Sequence, residues 1–506
     1  MDECVYMTKF LFACGSIAYI GKLTGYEGYT TNGTRYMKFE GIRYAPMTYS
    51  ESRFMEPYPV TINENIMGKV DCLEVNPVDG EVIGEEDCLF LNVFVPLRNA
   101  NKSMPVMIWI HGRAFPLRSN KVSIYNPEPL MDHDMIVVTL SYRLGPLGVN
   151  HWREPLLDLG VKDQQMAIKW VLKNIDMFGG DPERITLAGE SGGAVYALHH
   201  VNGYFKGKVR KAIALSGFRY SQWAMTLQRW TKSQTQELFH SLKCDNVECM
   251  REQSAVNIVD IAYEHNKKNR WLWRNIFDAF RPGVCFKAFE AEPWFKAKEK
   301  GNHSLLIGLK RHEGDIIDEF SAMYNTSAVE LGRYYCTYSY DTSLYGMKPR
   351  RYCRYPFTES ISSLYHPDDD LETGIKKAVG DGWVVFPASV EASLHPGNLE
   401  GFMYESRMCG ATPNCTLQCK VPFMKIEDGC PPYREEYEPV ASQFRNVIAD
   451  FVHGRNLTMK HFIEDNDFFN ITDPLINPVS YSHYFISPDL AVRMDAWTKY
   501  YFKYLS

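Results

Sequence analysis

Short apolar runs alternate with helical patterns over much of the chain. Runs rich in β-branched residues have the length of buried strands and lie at 105–112, 135–143, 184–190, 211–217 and 304–309. Residues 162–178 instead place apolar side chains at helical spacing. Such alternation predicts a mostly parallel central sheet flanked by helices, with binding residues at the C-terminal ends of the strands. Since no linker-like segment interrupts the pattern, we expect one α/β domain with long loop insertions.

Composition narrows the functional classes. The 506 residues carry a formal net charge of −6 and contain no Lys/Arg-rich run, so a nucleic-acid partner is not expected. No apolar run reaches the ~18 residues that a membrane-spanning helix needs. The sequence predicts no membrane span, no cofactor and no metal site.

The N-terminal stretch and the number of N-x-S/T sequons favour export. From Met7 the chain reads MTKFLFACGSIA, in which a lysine precedes a short apolar stretch and Ser16 and Ala18 hold small-residue cleavage positions. Residues 1–18 are therefore a candidate signal peptide before a domain at 19–506, and a first buried strand is the alternative. The 13 cysteines would be unpaired thiols in a cytosolic protein, and mostly disulfides plus an odd thiol in a secreted one. Glycosylation is expected at several N-x-S/T sequons, which start at Asn32, Asn101, Asn302, Asn325, Asn414, Asn456 and Asn470.

The stretch GESGG at residues 189–193 is typical of a turn that presents a nucleophilic serine. The longer stretch RITLAGESGGAVYALHHV supplies the strand before the turn and the helix after it that this motif needs. Ser191 is therefore the candidate nucleophile. Gly189 and Gly193 allow a close approach of strand and helix, where a Cβ would clash.

Several further motifs resemble the type-B carboxylesterase/cholinesterase family of α/β-hydrolases. They are FEGIRYA (39–45), EEDCLFLNVFVP (85–96), VVTLSYRLGPLG (137–148) and FGGDPERITLAGESGG (178–193). The similarity begins near residue 21, is clear in the first half and is patchier after about residue 251. It implies an α/β-hydrolase fold and carboxylic-ester hydrolysis by a serine.

The resemblance also implies two loop disulfides, Cys72–Cys88 and Cys244–Cys249. The sequence leaves the pairing of the later cysteines open, namely Cys336, Cys353, Cys409, Cys415, Cys419 and Cys430. A metal site is the alternative for the last four of them, although the missing CxxC pairs argue against zinc.

The family resemblance assigns a residue to the catalytic acid but no histidine to the catalytic base. The resemblance places the acid at Glu313, for which a surface glutamate in a charged loop is the alternative. The position of the family's histidine holds Leu417 or Pro413, depending on the alignment, and neither side chain accepts a proton. No histidine occurs between His395 and His453, and either of these could serve as base only after a large rearrangement.

The loop that would bind the oxyanion departs from the family pattern as well. The family sequence H-G-G-G-F reads HGRAF here, so that Arg113 and Ala114 follow Gly112. Main-chain donors survive such substitutions, but glycine adopts backbone angles that other residues resist. Gly192 still offers its N–H, so we expect a deformed oxyanion hole rather than a missing one.

These features predict a secreted carboxylesterase-like protein that is catalytically impaired and acts by binding. The ligand would be a small ester or hydrophobic molecule, or a protein partner. The resemblance also implies that a choline ester is not expected: in cholinesterases a tryptophan upstream of the E-D-C-L segment stacks on the quaternary ammonium, and residues 73–82 contain no aromatic side chain here. The alternative is an active carboxylic-ester hydrolase that uses Ser191 and Glu313 with an unidentified base.

Overall fold

The computed structural model describes the parts of the chain that carry the sheet and the elbow. These are residues 4–6, 11–14, 17–61, 65–66, 68, 70–76, 80–97, 103–112, 125–150, 157–221, 223–224, 228–268, 303–310, 312–318, 321, 327, 370–395, 399–404 and 438–457.

The strands of the described residues are β1 (Cys4–Tyr6), β2 (Leu11–Cys14), β3 (Ile17–Ile20), β4 (Leu23–Tyr29), β5 (Arg35–Arg43), β6 (Glu74–Val75), β7 (Val82–Ile83), β8 (Phe90–Pro96), β9 (Met104–Ile110), β10 (Ile136–Leu140), β11 (Val149–Asn150), β12 (Leu157–Asp158), β13 (Gly180–Glu190), β14 (Lys211–Leu215), β15 (Ser304–Lys310) and β16 (Leu399–Tyr404). The α-helices are α1 (Gly145–Gly148), α2 (Leu159–Asn174), α3 (Gly192–Asn202), α4 (Gln228–Ser241), α5 (Val247–Glu252), α6 (Ala255–Lys268), α7 (Leu371–Gly380), α8 (Phe386–Ser393) and α9 (Glu438–His453).

A twelve-stranded sheet organises these elements in the order β1-β2-β3-β4-β5-β8-β10-β9-β13-β14-β15-β16. In this order, all neighbouring strands from β1 to β10 are antiparallel, and all neighbouring strands from β10 to β16 are parallel. Every residue of β8, β9 and β10 is buried, as expected for a sheet covered on both faces. The predicted α/β-hydrolase architecture is confirmed, and its parallel half holds the elbow.

The helix predicted at 162–178 begins earlier and ends earlier than the apolar pattern suggests. Its start is fixed by Asp158, whose carboxylate accepts a hydrogen bond from the main-chain N–H of Val161 at 3.2 Å. Its last predicted residues form a 3₁₀ turn, Ile175–Phe178, which Gly179 ends at φ 84°. The helix therefore delivers the chain to the start of β13, the strand that carries the elbow.

Helices α7 and α8 are joined through a π-helical segment, Asp381–Val385. Pro387 lies in the first turn of α8 and lacks the N–H that an unbroken helix would use. The α7 backbone approaches the turn that carries Glu313 so closely that a Cβ on Gly314 would lie 1.8 Å from the main-chain oxygen of Lys376. Glycine at 314 thus lets α7 support the turn of the candidate acid.

The two disulfides implied by the family resemblance are present. Cys72 and Cys88 have Cα atoms 4.9 Å apart, and Cys244 and Cys249 have Cα atoms 5.5 Å apart. The later cysteines of uncertain pairing lie outside the described residues.

The N-terminal stretch that is a candidate signal peptide includes β1, β2 and the start of β3, which pair antiparallel at the edge of the sheet. The signal peptide stays a prediction. Among the helices that the structure describes, none is long and apolar enough to cross a membrane.

Candidate active site

The elbow at Ser191 joins β13 directly to α3. Ser191 has φ 54° and ψ −123°, a backbone conformation that L-residues rarely adopt. Its N–H donates a hydrogen bond of 2.8 Å to the main-chain oxygen of Leu215 at the end of β14, and its side chain is half-buried. The strained turn therefore presents the hydroxyl at the C-terminal end of the parallel strands, as the motif predicts.

Close backbone contacts hold this turn against the neighbouring strand. A Cβ on Gly193 would lie 2.0 Å from the main-chain oxygen of Ile110, the last residue of β9. A Cβ on Gly112 would lie 2.0 Å from the main-chain oxygen of Glu190 and 2.2 Å from the nitrogen of Gly193. Gly112, the first glycine of the candidate oxyanion loop, is thus packed against the elbow itself.

Glu313 lies buried in a 3₁₀ turn just after β15. One carboxylate oxygen, Oε1, accepts hydrogen bonds from Ser216 Oγ at 2.8 Å and from the main-chain N–H of Lys310 at 2.7 Å. Burial raises the pKa of Glu313 above its ordinary value, while the charge of Lys310 and the two hydrogen bonds oppose the rise. Glu313 is therefore an interior group, and the alternative of a surface glutamate in a charged loop is wrong.

Ser216 links the serine and the candidate acid. It directly follows Leu215, the residue whose carbonyl holds the Ser191 N–H, and its own φ is 51°. Its hydroxyl donates to Glu313. Sequence reasoning missed Ser216, although a serine placed at the end of the next parallel strand was a signal for this edge of the sheet.

An ion pair lies beside the elbow. The ammonium of Lys310 donates to Oε1 of Glu190 at 2.9 Å, and both residues are buried. Glu190 immediately precedes Ser191, so this ion pair belongs to the same site. Sequence reasoning missed this ion pair because its two residues are 120 positions apart in the chain. No pattern within β13 or within β15 indicates that the two side chains meet.

The histidines considered as substitute bases are engaged elsewhere. His395 is fully buried, with Nδ1 2.8 Å from the main-chain oxygen of Glu391. His453, at the end of α9, has Nε2 2.7 Å from the main-chain oxygen of His133. His312 neighbours Glu313 but is exposed. Within the described residues, no hydrogen bond joins a histidine to Ser191 or Glu313.

His395 belongs to a buried polar cluster at the C-terminal end of α8. Arg219 pairs with both carboxylate oxygens of Glu391, and the ring of His303 lies 4.4 Å from that of His395. Burial, together with the charges of His395 and Arg219, lowers the pKa of His303 to about 3. Burial also lowers the pKa of His395, so the cluster disfavours charged histidines beside one satisfied ion pair, which indicates a structural role.

Several predicted site residues cannot be placed. Arg113, Ala114, Pro413 and Leu417 lie outside the described residues, so their roles stay predictions.

Gly192 is buried at the first turn of α3, where helix N–H groups are free to bind an anion. Among the residues that the structure describes, no group of three or more metal-ligating side chains could hold a metal ion.

Comparisons with known proteins agree with this architecture. The sequence profile of the carboxylesterase family matches residues 16–436. The chain is 38% identical over 221 residues to a carboxylic ester hydrolase of Bombus ignitus, 32% over 282 residues to venom carboxylesterase-6 of Apis mellifera, and 34% over 259 residues to juvenile hormone esterase of Tribolium castaneum. The matches cover 41%, 53% and 48% of the chain and 39%, 50% and 44% of these relatives. The matches to these three relatives thus span half or less of each relative's own length.

Proposed function

The chain belongs to the carboxylesterase family, and we propose that it is a secreted member whose ester chemistry is impaired and that acts by binding. The nucleophile elbow and a buried acid are in place, so the scaffold for recognising an ester is retained. What is missing in this proposal is the group that would take the proton of Ser191.

The surroundings of Glu313 are the observation that carries the proposal. In a serine hydrolase the acid holds a histidine, which in turn accepts the serine proton. Here the hydrogen bonds of Glu313 within the described residues are to Ser216 and Lys310. The positions that the family alignment offers for the histidine hold Leu417 or Pro413. Loss of the base from such a triad lowers kcat by about 10⁴–10⁶-fold.

The oxyanion loop adds a second loss. Arg113 and Ala114 stand where the family has glycines, next to Gly112, which the elbow already confines. Removing one oxyanion donor costs about 10²–10³-fold in kcat. The two losses act on one transition state and do not simply multiply.

The ligand follows from the fold. A family site with a half-buried serine and helix N–H donors suits a small ester or a hydrophobic molecule with a carbonyl. A protein partner on the same face is the second kind of ligand that the proposal admits. Export is supported by the two disulfides, which persist in oxidising compartments.

The competing proposal is an active carboxylic-ester hydrolase with an unidentified base. It is favoured by the strained backbone of Ser191, since strain of this kind is concentrated at working active sites. It is favoured too by relatives that are themselves described as esterases.

Hydrolysis of neutral aryl esters decides between these proposals. We expect the purified wild type to be no faster than Ser191→Ala. Leu417→His alone should restore little, whereas Leu417→His with Arg113→Gly and Ala114→Gly should gain turnover that Ser191→Ala abolishes. Robust hydrolysis by the wild type that depends on Ser191 would overturn the impaired-enzyme proposal. In that event His395 and His453 are the first positions to substitute.

A further inference from the structure

The charge balance at the elbow is set by a residue outside the expected triad. Strands β13, β14 and β15 are neighbours, and their pairing aligns Glu190 with Leu215 and Leu215 with Gly308. Two strand spacings bring Glu190 and Gly308 to about 10 Å between their Cα atoms. A lysine two residues beyond Gly308 can therefore reach across β14, and Lys310 does so.

Lys310 acts on both carboxylates of the site. Its ammonium lies 2.9 Å from Glu190 Oε1, and its main-chain N–H lies 2.7 Å from Glu313 Oε1. Glu190 and Lys310 are only 6% and 8% exposed, so water screens the pair weakly. Both charges also act on Glu313: the ammonium of Lys310 lowers the pKa of Glu313, and the carboxylate of Glu190 raises it.

Glu190 is the residue directly before the half-buried Ser191. An unpaired carboxylate in that position would attract a cationic ligand group at Ser191 by charge alone, without a direct contact. The ammonium of Lys310 cancels that charge. Glu313, in contrast, accepts hydrogen bonds from Ser216 and from the main chain of Lys310, and within the described residues it forms no ion pair with an ammonium group.

We propose that Lys310 determines the specificity of the Ser191 site: by neutralising Glu190, it makes the site accept uncharged ester groups and disfavour cationic ones. This inference rests on the proposed function, in that it requires an ester-like ligand at Ser191. It names the chemical class of that ligand as a neutral ester.

A pair of isosteric esters tests the charge directly. Butyrylcholine and 3,3-dimethylbutyl butyrate have the same shape and differ by a quaternary nitrogen in place of a carbon. The measured quantity is the ratio of their dissociation constants for the full chain, or of their kcat/KM values if turnover occurs. The wild type should favour the neutral ester.

Three variants of the ion pair should move this ratio in different directions. Lys310→Met leaves Glu190 uncompensated and should shift the ratio toward the cationic ester by roughly tenfold or more. Glu190→Gln leaves the ammonium and should shift it further toward the neutral ester. The double variant Lys310→Met/Glu190→Gln has the same net charge as the wild type and should return close to the wild-type ratio.

Lys162→Met is the matched control, because Lys162 forms an exposed ion pair with Glu56 at 3.8 Å on another element. It should leave the ratio unchanged. If the neutral ester binds in a Ser191-dependent way but neither Lys310→Met nor Glu190→Gln moves the ratio, the specificity role of Lys310 is overturned and the binding function stands. If neither ester binds to any variant, both the specificity role and the proposed ligand site fail.

Discussion

The two sides of the candidate site are held together by different forces. On the nucleophile side, Ser191 is positioned by backbone packing, with Gly112 and Gly193 in contact with neighbouring main-chain atoms. On the acid side, Glu313 is positioned by polar contacts from Ser216 and Lys310 in a buried environment. Backbone packing therefore positions the elbow, whereas the acid turn combines close packing of Gly314 against Lys376 with hydrogen bonds and charge at the Glu313 carboxylate.

If catalysis is impaired as proposed, this difference would explain why the elbow persists. The backbone of the elbow is packed between β9, β13 and α3, so a substitution there disturbs the packing at the centre of the sheet. The acid side depends on a few polar partners, and each can be exchanged without rebuilding the sheet. Loss of function at such a site is then expected to begin with the base and the oxyanion loop, not with the serine.

The largest effect is expected from the packing of the elbow. Gly193→Ala places a Cβ 2.0 Å from the oxygen of Ile110, so the backbone must shift. We expect the free energy of unfolding to fall by about 3–5 kcal/mol, measured by urea denaturation.

Gly207→Ala is the control for that substitution. Gly207 has φ 77°, but no atom lies within 4 Å of the added Cβ, so only backbone strain of about 1–2 kcal/mol is expected. Equal losses for the two variants would show that strain, and not close packing, governs the elbow.

A smaller, pH-dependent effect is expected on the acid side. Ser216→Ala removes a donor that stabilises the ionised form of Glu313, whose pKa burial already raises above the ordinary 4.5. A group with a raised pKa in the folded state weakens folding once pH exceeds its ordinary pKa, because its ionised form is disfavoured inside the protein. The loss in unfolding free energy should therefore be about 1–3 kcal/mol at pH 8 and should shrink as pH falls toward 4.5.

Ser389→Ala provides the comparison for this pH dependence. Ser389 is also buried, but its hydroxyl donates to the main-chain oxygen of Phe386, which does not titrate. Its loss should be the same at pH 5 and pH 8. A Ser216→Ala loss that is equally flat with pH would mean that Glu313 does not ionise in this range.

The smallest effect concerns the strain at the nucleophile. Ser191→Gly should raise the unfolding free energy by about 0.5–1 kcal/mol, since glycine adopts φ 54° without steric cost. Ser191→Ala keeps the strain and should leave stability almost unchanged. Thermal unfolding of both variants separates these outcomes, and a loss of stability in Ser191→Gly would contradict a strained elbow.

Much of the fold was predictable because it depends on local pattern. The buried strands at β9, β10, β13, β14 and β15 follow from continuous apolar runs, and their observed ends differ from the predicted ones by a few residues. The elbow follows from a short motif whose glycines lie where the backbone is crowded. The two disulfides followed only from the family resemblance, since cysteine spacing alone leaves pairing open.

The acid turn shows where local pattern stops being sufficient. Glu313 could be proposed from the resemblance, but its burial depends on α7 and β14, which are distant in sequence. Its neighbours Ser216 and Lys310 carried no motif of their own. The cluster of the Arg219–Glu391 ion pair with His303 and His395 could not be predicted from the sequence either, because its residues come from different segments of the chain.

The sequence by itself determined the order of strands and helices, the strained turn at Ser191 and the absence of histidine between His395 and His453. These are properties of neighbouring residues or of residue identity. Only the tertiary structure decided which charges meet at the elbow, because a sheet brings together side chains that are far apart along the chain. Lys310 became a partner of Glu190 through the order of β13, β14 and β15, and in a buried site that pairing sets the local charge.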